Sequence, residues 1–113
     1  YSIEIIPELG ERAKTALSQG GYTNVRVKIG NGHLGWPDEA PFDAIIVTCA
    51  PEDVPAPLVE QLRDGGKMVI PVGESGGNQV LYLFEKEAGT LREEVILPVR
   101  FVPMTGRKSP LQD

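Results

Sequence analysis

The chain has 113 residues, of which 41% are hydrophobic and 24% charged. That makes one domain or part of one, long enough to bury a modest core and too short for a second. A formal net charge of −5 and a pI near 4.9 speak against a nucleic-acid partner, because phosphate recognition needs a basic face that releases counterions. Among the 11 Lys and Arg residues, Arg92, Arg100, Arg107 and Lys108 gather toward the C-terminus, but they are interspersed with apolar residues and acids. The single cysteine, Cys49, cannot form an internal disulfide, and one histidine cannot complete a zinc site with it. No metal is expected, and a reducing, cytoplasmic setting is favoured. No run approaches the roughly 18 to 20 apolar residues of a membrane span, and no signal peptide is visible, so no membrane partner is expected. The chain starts on Tyr1 rather than Met and enters directly on YSIEII, as expected of a piece of a longer protein.

Along the chain the apolar period switches between strand-like and helix-like, which predicts an α/β layer fold. Tyr1 to Glu4 reads as a short strand. Pro7 suits a first helical turn, and Ile6, Leu9, Ala13, Ala16 and Leu17 then recur at helical steps until Gly20-Gly21 ends the helix. Val25 to Ile29 alternates as a strand and leads into KIGNGHLGWP, a loop with glycines at 30, 32 and 35. Such backbone freedom fits a ligand cradle or an ordinary turn. Asp43 to Thr48 is a continuous apolar run of the kind found in a parallel strand covered on both faces. Pro55 to Leu62 predicts a second helix, stopped by Asp64-Gly65-Gly66, and KMVIPV a further strand. Gln79 to Lys86 and Leu91 to Val102, joined by the turn-rich Glu87 to Thr90, give a hairpin signal. The order β-α-β-loop-β-α-β-β-β is that of a doubly wound, mostly parallel sheet with an antiparallel C-terminal hairpin.

Open α/β sheets bind ligands at the carboxyl ends of their strands, so the residues there are the first candidates. Glu4 closes the first strand, where a carboxylate accepts two hydrogen bonds from adjacent ribose hydroxyls; a solvated strand-end Glu is the alternative. Asn31, between Gly30 and Gly32, offers a donor and an acceptor that match a purine edge, with a plain turn as the alternative. Phosphate binding is not expected, since no GxxxxGK[ST] occurs. Leu34 and Trp36 are placed either to pack on a base or to anchor the loop. His33 lacks a partner Ser or Cys at recognisable spacing and reads as a surface or packing residue. Cys49 reads as small packing, and Asp43 as satisfying backbone donors or a nearby cation. Glu93 and Glu94 are strand neighbours that face opposite ways, not a carboxylate pair. These residues reach a nucleoside-type cofactor with no evident nucleophile or metal.

Specific strings carry the reading further. YSIEIIPELGERAKTAL, NVRVKIGNGHLGWPDEAPFDAIIVTCAP, VPAPLVEQLRDGGKMVIPVGESGGNQVLYLFEK and PVRFVPMTG together resemble the S-adenosylmethionine-dependent protein-L-isoaspartate O-methyltransferases, from Tyr1 to about Gly106. LRDGG is generic to Rossmann-like methyltransferases, whereas PVG with GGNQ and the terminal VPMTG are more specific. The resemblance implies an incomplete Rossmann-like methyltransferase fold, with residues 1–113 the C-terminal part of a single methyltransferase domain. It implies that Glu4 binds the cofactor ribose, that Asn31 and Gly32 line the adenine pocket, and that Thr105 closes the cofactor site. Thr48, Cys49 and Ala50, with Pro71, Val72 and Gly73, would lie at the methyl-transfer cleft on the substrate side. The family usually has Asp where this chain has Asn31.

The resemblance also implies something missing. Family members carry, upstream of the YSIE-like strand, a substrate-side hydroxyl residue and a first βα unit whose glycine-rich loop holds the methionine part of the cofactor. The absent strand lies between the one at Tyr1 and the one at Asp43, leaving a gap of two strand spacings, roughly 10 Å. Two apolar edges would be exposed, and the missing N-terminal segment or another chain is expected to fill the gap. The implied activity is methyl transfer to the α-carboxylate of L-isoaspartyl residues in damaged proteins or peptides, with the isolated piece expected to be inactive. That acceptor is already anionic, so no catalytic side chain is expected. The rivals are a methyltransferase acting on a small molecule, a non-catalytic fragment and, more distantly, a nicotinamide-dependent dehydrogenase, whose GxGxxG is absent.

Overall fold

A computed structural model describes residues 1–106; Arg107 and Lys108 lie outside the described residues. The elements follow the order β1 (Ser2–Glu4), α1 (Pro7–Gln19), β2 (Val27–Ile29), β3 (Phe42–Ile46), α2 (Ala56–Gln61), β4 (Leu62–Gly73), β5 (Gln79–Glu87) and β6 (Thr90–Val99). Two short 3-10 turns, Gly32–Leu34 and Pro37–Glu39, occupy the loop between β2 and β3.

The strands form two sheets. β1 and β2 pair in parallel, and β3-β4-β5-β6 make a four-stranded sheet that is parallel at β3-β4 and antiparallel beyond. Among the described residues, β1 and β3 are therefore unpaired on the edges that face each other. A cleft of about 260 Å³ lies between them, lined by Ser2 and Ile3 on one side and by Ala44, Ile46 and Thr48 on the other. This is the discontinuity that the resemblance implies. It also changes the reading of β3, expected to be covered on both faces: Ala44 is exposed and Ile46 is 75% exposed, because nothing in the described chain packs there.

Apolar burial is concentrated in the four-stranded half. Met68 and Ile70 alternate on β4 and point with Phe84 of β5 at Leu58 of α2 and at Leu62, giving a core of five buried side chains. Among the described residues, the two-stranded half contains no fully buried large apolar side chain, although Gly10 lets α1 lie close on Ile29. Two strands and a helix of this size are marginal alone. Contacts outside these three elements must hold them, among them the edge-to-face packing of Tyr1 on Trp36 of the loop before β3 and on Phe42 of β3, at centroid separations of 5.2 and 5.8 Å.

Several boundaries differ from expectation, among them β2, which begins at Val27 and not Val25, β3, which ends at Ile46 and not Thr48, and β6, which ends at Val99 and not Val102. Helix α2 gives way to strand already at Leu62, whose ψ is 129°, and the stop at Asp64-Gly65-Gly66 becomes an irregularity inside β4. The helix end is satisfied from β5: Lys86 Nζ donates to the Val59 and Leu62 carbonyls at 2.9 and 2.8 Å. Phe42 pairs with Leu62, and the register then shifts before Ala44 meets Lys67. Arg63 Nε donates to Asp43 Oδ1 at 2.7 Å across this shift, so Asp43 does meet a cation. The hairpin turn is tighter than expected, with Ala88 and Gly89 alone between the paired Glu87 and Thr90.

Candidate functional site

Parallel pairing of β1 and β2 brings the first two candidates together. Glu4 is opposite Ile29, and its carbonyl accepts the Gly30 N–H at 2.9 Å, so Asn31 emerges beside the end of β1. The Glu4 carboxylate is half-buried and accepts from the Ile5 N–H at 3.1 Å. Asn31 caps the following 3-10 turn: its Oδ1 accepts from the His33 N–H at 3.0 Å and lies 3.1 Å from His33 Nδ1. That oxygen therefore holds the loop, and His33, 4% exposed, is a packing residue and no surface base.

The C-terminal tail closes a circuit around these residues. A Cβ on Gly106 would stand 2.6 Å from Asn31 Oδ1 and 2.8 Å from Ile5 Cδ1, and a Cβ on Gly32 would stand 3.1 Å from Met104 Cε. Met104 N–H donates to the Ala50 carbonyl at 3.1 Å, and Ala50 N–H to the Val102 carbonyl at 2.8 Å. Next to Ala50, the Cys49 thiol feels the Glu4 carboxylate. Glu4, Asn31, Gly32, the segment from Met104 to Gly106 and the loop after β3 thus share one locality, with Thr105 exposed on its rim. Burial, and then the Glu4 charge, push the Cys49 thiol above its ordinary range, so at neutral pH it is protonated and a poor nucleophile.

Of the substrate-side residues, Thr48 and Cys49 line the cleft, together with Gly32 and Met104. Gly73 N–H donates to the Pro51 carbonyl at 3.0 Å, which joins the loop after β3 to the end of β4. Ala50 is 3% exposed and Pro71 is fully buried, so these two stand behind the surface; Val72 and Gly73 are half-buried. Among the described residues no group of three or more His, Cys, Asp or Glu is placed to hold a metal, and no helix is long and apolar enough to cross a membrane.

Three residues escaped the sequence reading. Buried Gln61, at the end of α2, bonds the loop backbone at Leu34 and Trp36. Buried Gln79, at the start of β5, bonds the tail at Phe101. Met104 packs at Gly32. Gln79 and Met104 lie within the GGNQ and VPMTG strings, a signal that carried resemblance without a role. Gln61 had no signal beyond a polar residue ending an apolar helix face.

A family model described as protein-L-isoaspartate(D-aspartate) O-methyltransferase matches residues 1–109. The protein-L-isoaspartate O-methyltransferase of Gloeobacter violaceus is 46% identical over 108 residues, covering 96% of this chain and 53% of that protein. That of Myxococcus xanthus is 50% identical over 110 residues, covering 95% and 52%. The chain spans about half the length of the curated relatives it matches. Among solved structures, one named protein-L-isoaspartate O-methyltransferase superposes with a TM-score of 0.86 at 30% identity, covering 92% of this chain and 33% of that one. Another, from Plasmodium falciparum and described as being in complex with S-adenosyl-L-homocysteine, gives a TM-score of 0.77 at 25% identity, covering 91% and 50%. A match running nearly end to end, on a fold that superposes on two such enzymes, leaves one assignment: the chain belongs to the protein-L-isoaspartate O-methyltransferase family.

Proposed function

We propose that this chain is the C-terminal part of a single methyltransferase domain that binds S-adenosylmethionine and methylates the α-carboxylate of L-isoaspartyl residues in damaged proteins. The observation that carries the reading is that Glu4, Asn31 and Gly106 come together at the ends of β1 and β2, with Gly30 bonded to the Glu4 carbonyl and Gly106 against Asn31 Oδ1 and Ile5. A half-buried carboxylate beside a glycine-bearing turn fits the ribose and adenine of a nucleoside. Glu4 would hold the ribose hydroxyls, the Asn31–Gly32 backbone would border the adenine, and Thr105 would close the rim. When bound, S-adenosylmethionine supplies a sulfonium methyl group, an electrophile that an anionic carboxylate accepts without a general base. The chain's own task is then to position, orient and exclude water. Thr48 and Cys49 border the acceptor side, with Ala50 and Pro71 fixing the backbone behind them. The protonated state of Cys49 keeps it from competing as a methyl acceptor.

The open edges of β1 and β3 favour one further strand between them, supplied by the residues that the relatives have beyond the matched half. Without it the chain is inactive. The test pairs this chain with the unmatched half of the Myxococcus xanthus relative and measures methyl ester formation on an isoaspartyl peptide and on its aspartyl isomer. Methylation of the first and not the second is expected. Equal rates on both, or transfer only to a small-molecule acceptor, would overturn the reading. Titration of the 113-residue chain with S-adenosylhomocysteine in a calorimeter examines the cofactor half alone.

A further inference from the structure

We infer that Gln61 is a positioning residue for the nucleoside-facing loop, acting through the backbone on either side of Gly35. The inference rests on the cofactor reading above. The Gln61 Oε1 accepts from the Trp36 N–H at 2.8 Å, and its Nε2 donates to the Leu34 carbonyl at 2.9 Å. One planar amide thus grips both flanks of Gly35. The amide lies where a Cβ on Gly35 would stand, and Gly35 has a φ of +64°, so only glycine fits there. The 3-10 turn passes this position on to the candidate pocket, since Leu34 N–H donates to the Asn31 carbonyl and Gly35 N–H to the Gly32 carbonyl, both at 3.1 Å. Moving Leu34 and Gly35 therefore moves Asn31 and Gly32.

At its other end Gln61 is anchored beside the core. It is 7% exposed and lies between Leu58 and Leu62 of the main core. It therefore ties the loop of the weakly packed two-stranded half to the well-packed four-stranded half. The chemistry is specific to an amide. Glutamate keeps the acceptor for Trp36 but sets an anion against the Leu34 carbonyl, and methionine keeps the volume but offers neither bond.

The test compares the parent chain with Gln61→Met and Gln61→Glu. It measures amide hydrogen exchange at Trp36, Met68 and Ile70 and titrates S-adenosylhomocysteine, followed by calorimetry and by emission of Trp36, the single tryptophan. Gln61→Met should speed Trp36 exchange and weaken ligand affinity, each about tenfold, with Met68 and Ile70 protection unchanged. Gln61→Glu should keep Trp36 protected yet still lose affinity; if Gln61→Met unfolds the chain, that affinity loss decides. Unchanged affinity in a folded variant would overturn the positioning role, even with faster exchange. If the parent itself gives no heat with the ligand, the cofactor reading fails, and Trp36 exchange alone still judges the clamp.

Discussion

Gln79 and Phe101 hold each other through both of their amides: the Phe101 N–H donates to Gln79 Oε1 at 2.7 Å, and Gln79 Nε2 donates to the Phe101 carbonyl at 3.3 Å. Gln79 is 4% exposed, so both bonds are made where water cannot replace them cheaply. They dock the start of the tail that runs past Ala50 to Asn31. Replacing Gln79 by Leu should lower unfolding free energy by about 1–3 kcal/mol in urea titration, the cost of leaving buried partners unsatisfied. Exchange at the Met104 amide should quicken with it. An unchanged Met104 would mean that the bonds to Ala50 alone hold the tail.

The β5–β6 turn contains a correctable strain. Ala88 and Gly89 have φ values of 49° and 80°, the pair of left-handed conformations of a type I′ turn. Alanine pays a steric penalty there that Gly89 does not, and asparagine tolerates the region through its short polar side chain. Ala88→Asn should therefore raise stability by about 1 kcal/mol, read as a higher melting temperature. A lower one would show that the turn relaxes to another type in solution.

Elements were legible in this sequence wherever the period of apolar residues was set by the chain's own packing. Pro7, the spacing of Ala13 and Leu17, and Gly20 marked α1, while KMVIPV marked the centre of β4 with Met68 and Ile70 as its core face. The exposure of β3 was not legible from its own residues, because DAIIVT encodes a strand meant to be covered and says nothing of whether its neighbour is present. The position of Glu4 and Asn31 followed from parallel pairing, which the βα order implies. The roles of Gln61 and Gln79 did not follow, since the loop and tail residues they bond, Leu34, Trp36 and Phe101, lie 22 to 27 residues away and contact is set by folding, not by any local pattern.

The pH behaviour of Cys49 tests the circuit around Glu4 directly. Burial is the larger cause of its raised pKa, and the Glu4 charge the second. Alkylation by iodoacetamide should therefore reach half its maximal rate above the ordinary thiol range, and Glu4→Gln should move that midpoint down. The linkage has a definite sign: the folded chain holds the thiol proton more tightly than the unfolded one, so stability is fully present below the unfolded pKa of about 8.5 and is lost as pH rises through the folded value. Cys49→Ser should flatten that alkaline loss. A midpoint indifferent to Glu4→Gln would place the carboxylate too far away to share a site with the loop after β3.

The open edge of β3 sets the behaviour of the chain on its own. Ile46 is 75% exposed on a strand that, among the described residues, has no ladder partner across the cleft, and such an edge templates pairing with another copy. The chain should self-associate with rising concentration in sedimentation velocity, and Ile46→Lys should shift it toward monomer, since a charge on an edge opposes strand addition. The same substitution should weaken assembly with the unmatched half of the Myxococcus xanthus relative, because one edge serves both partners. If Ile46→Lys abolishes self-association yet leaves assembly with that half intact, the added segment does not pair with β3, and the fold must be completed from elsewhere.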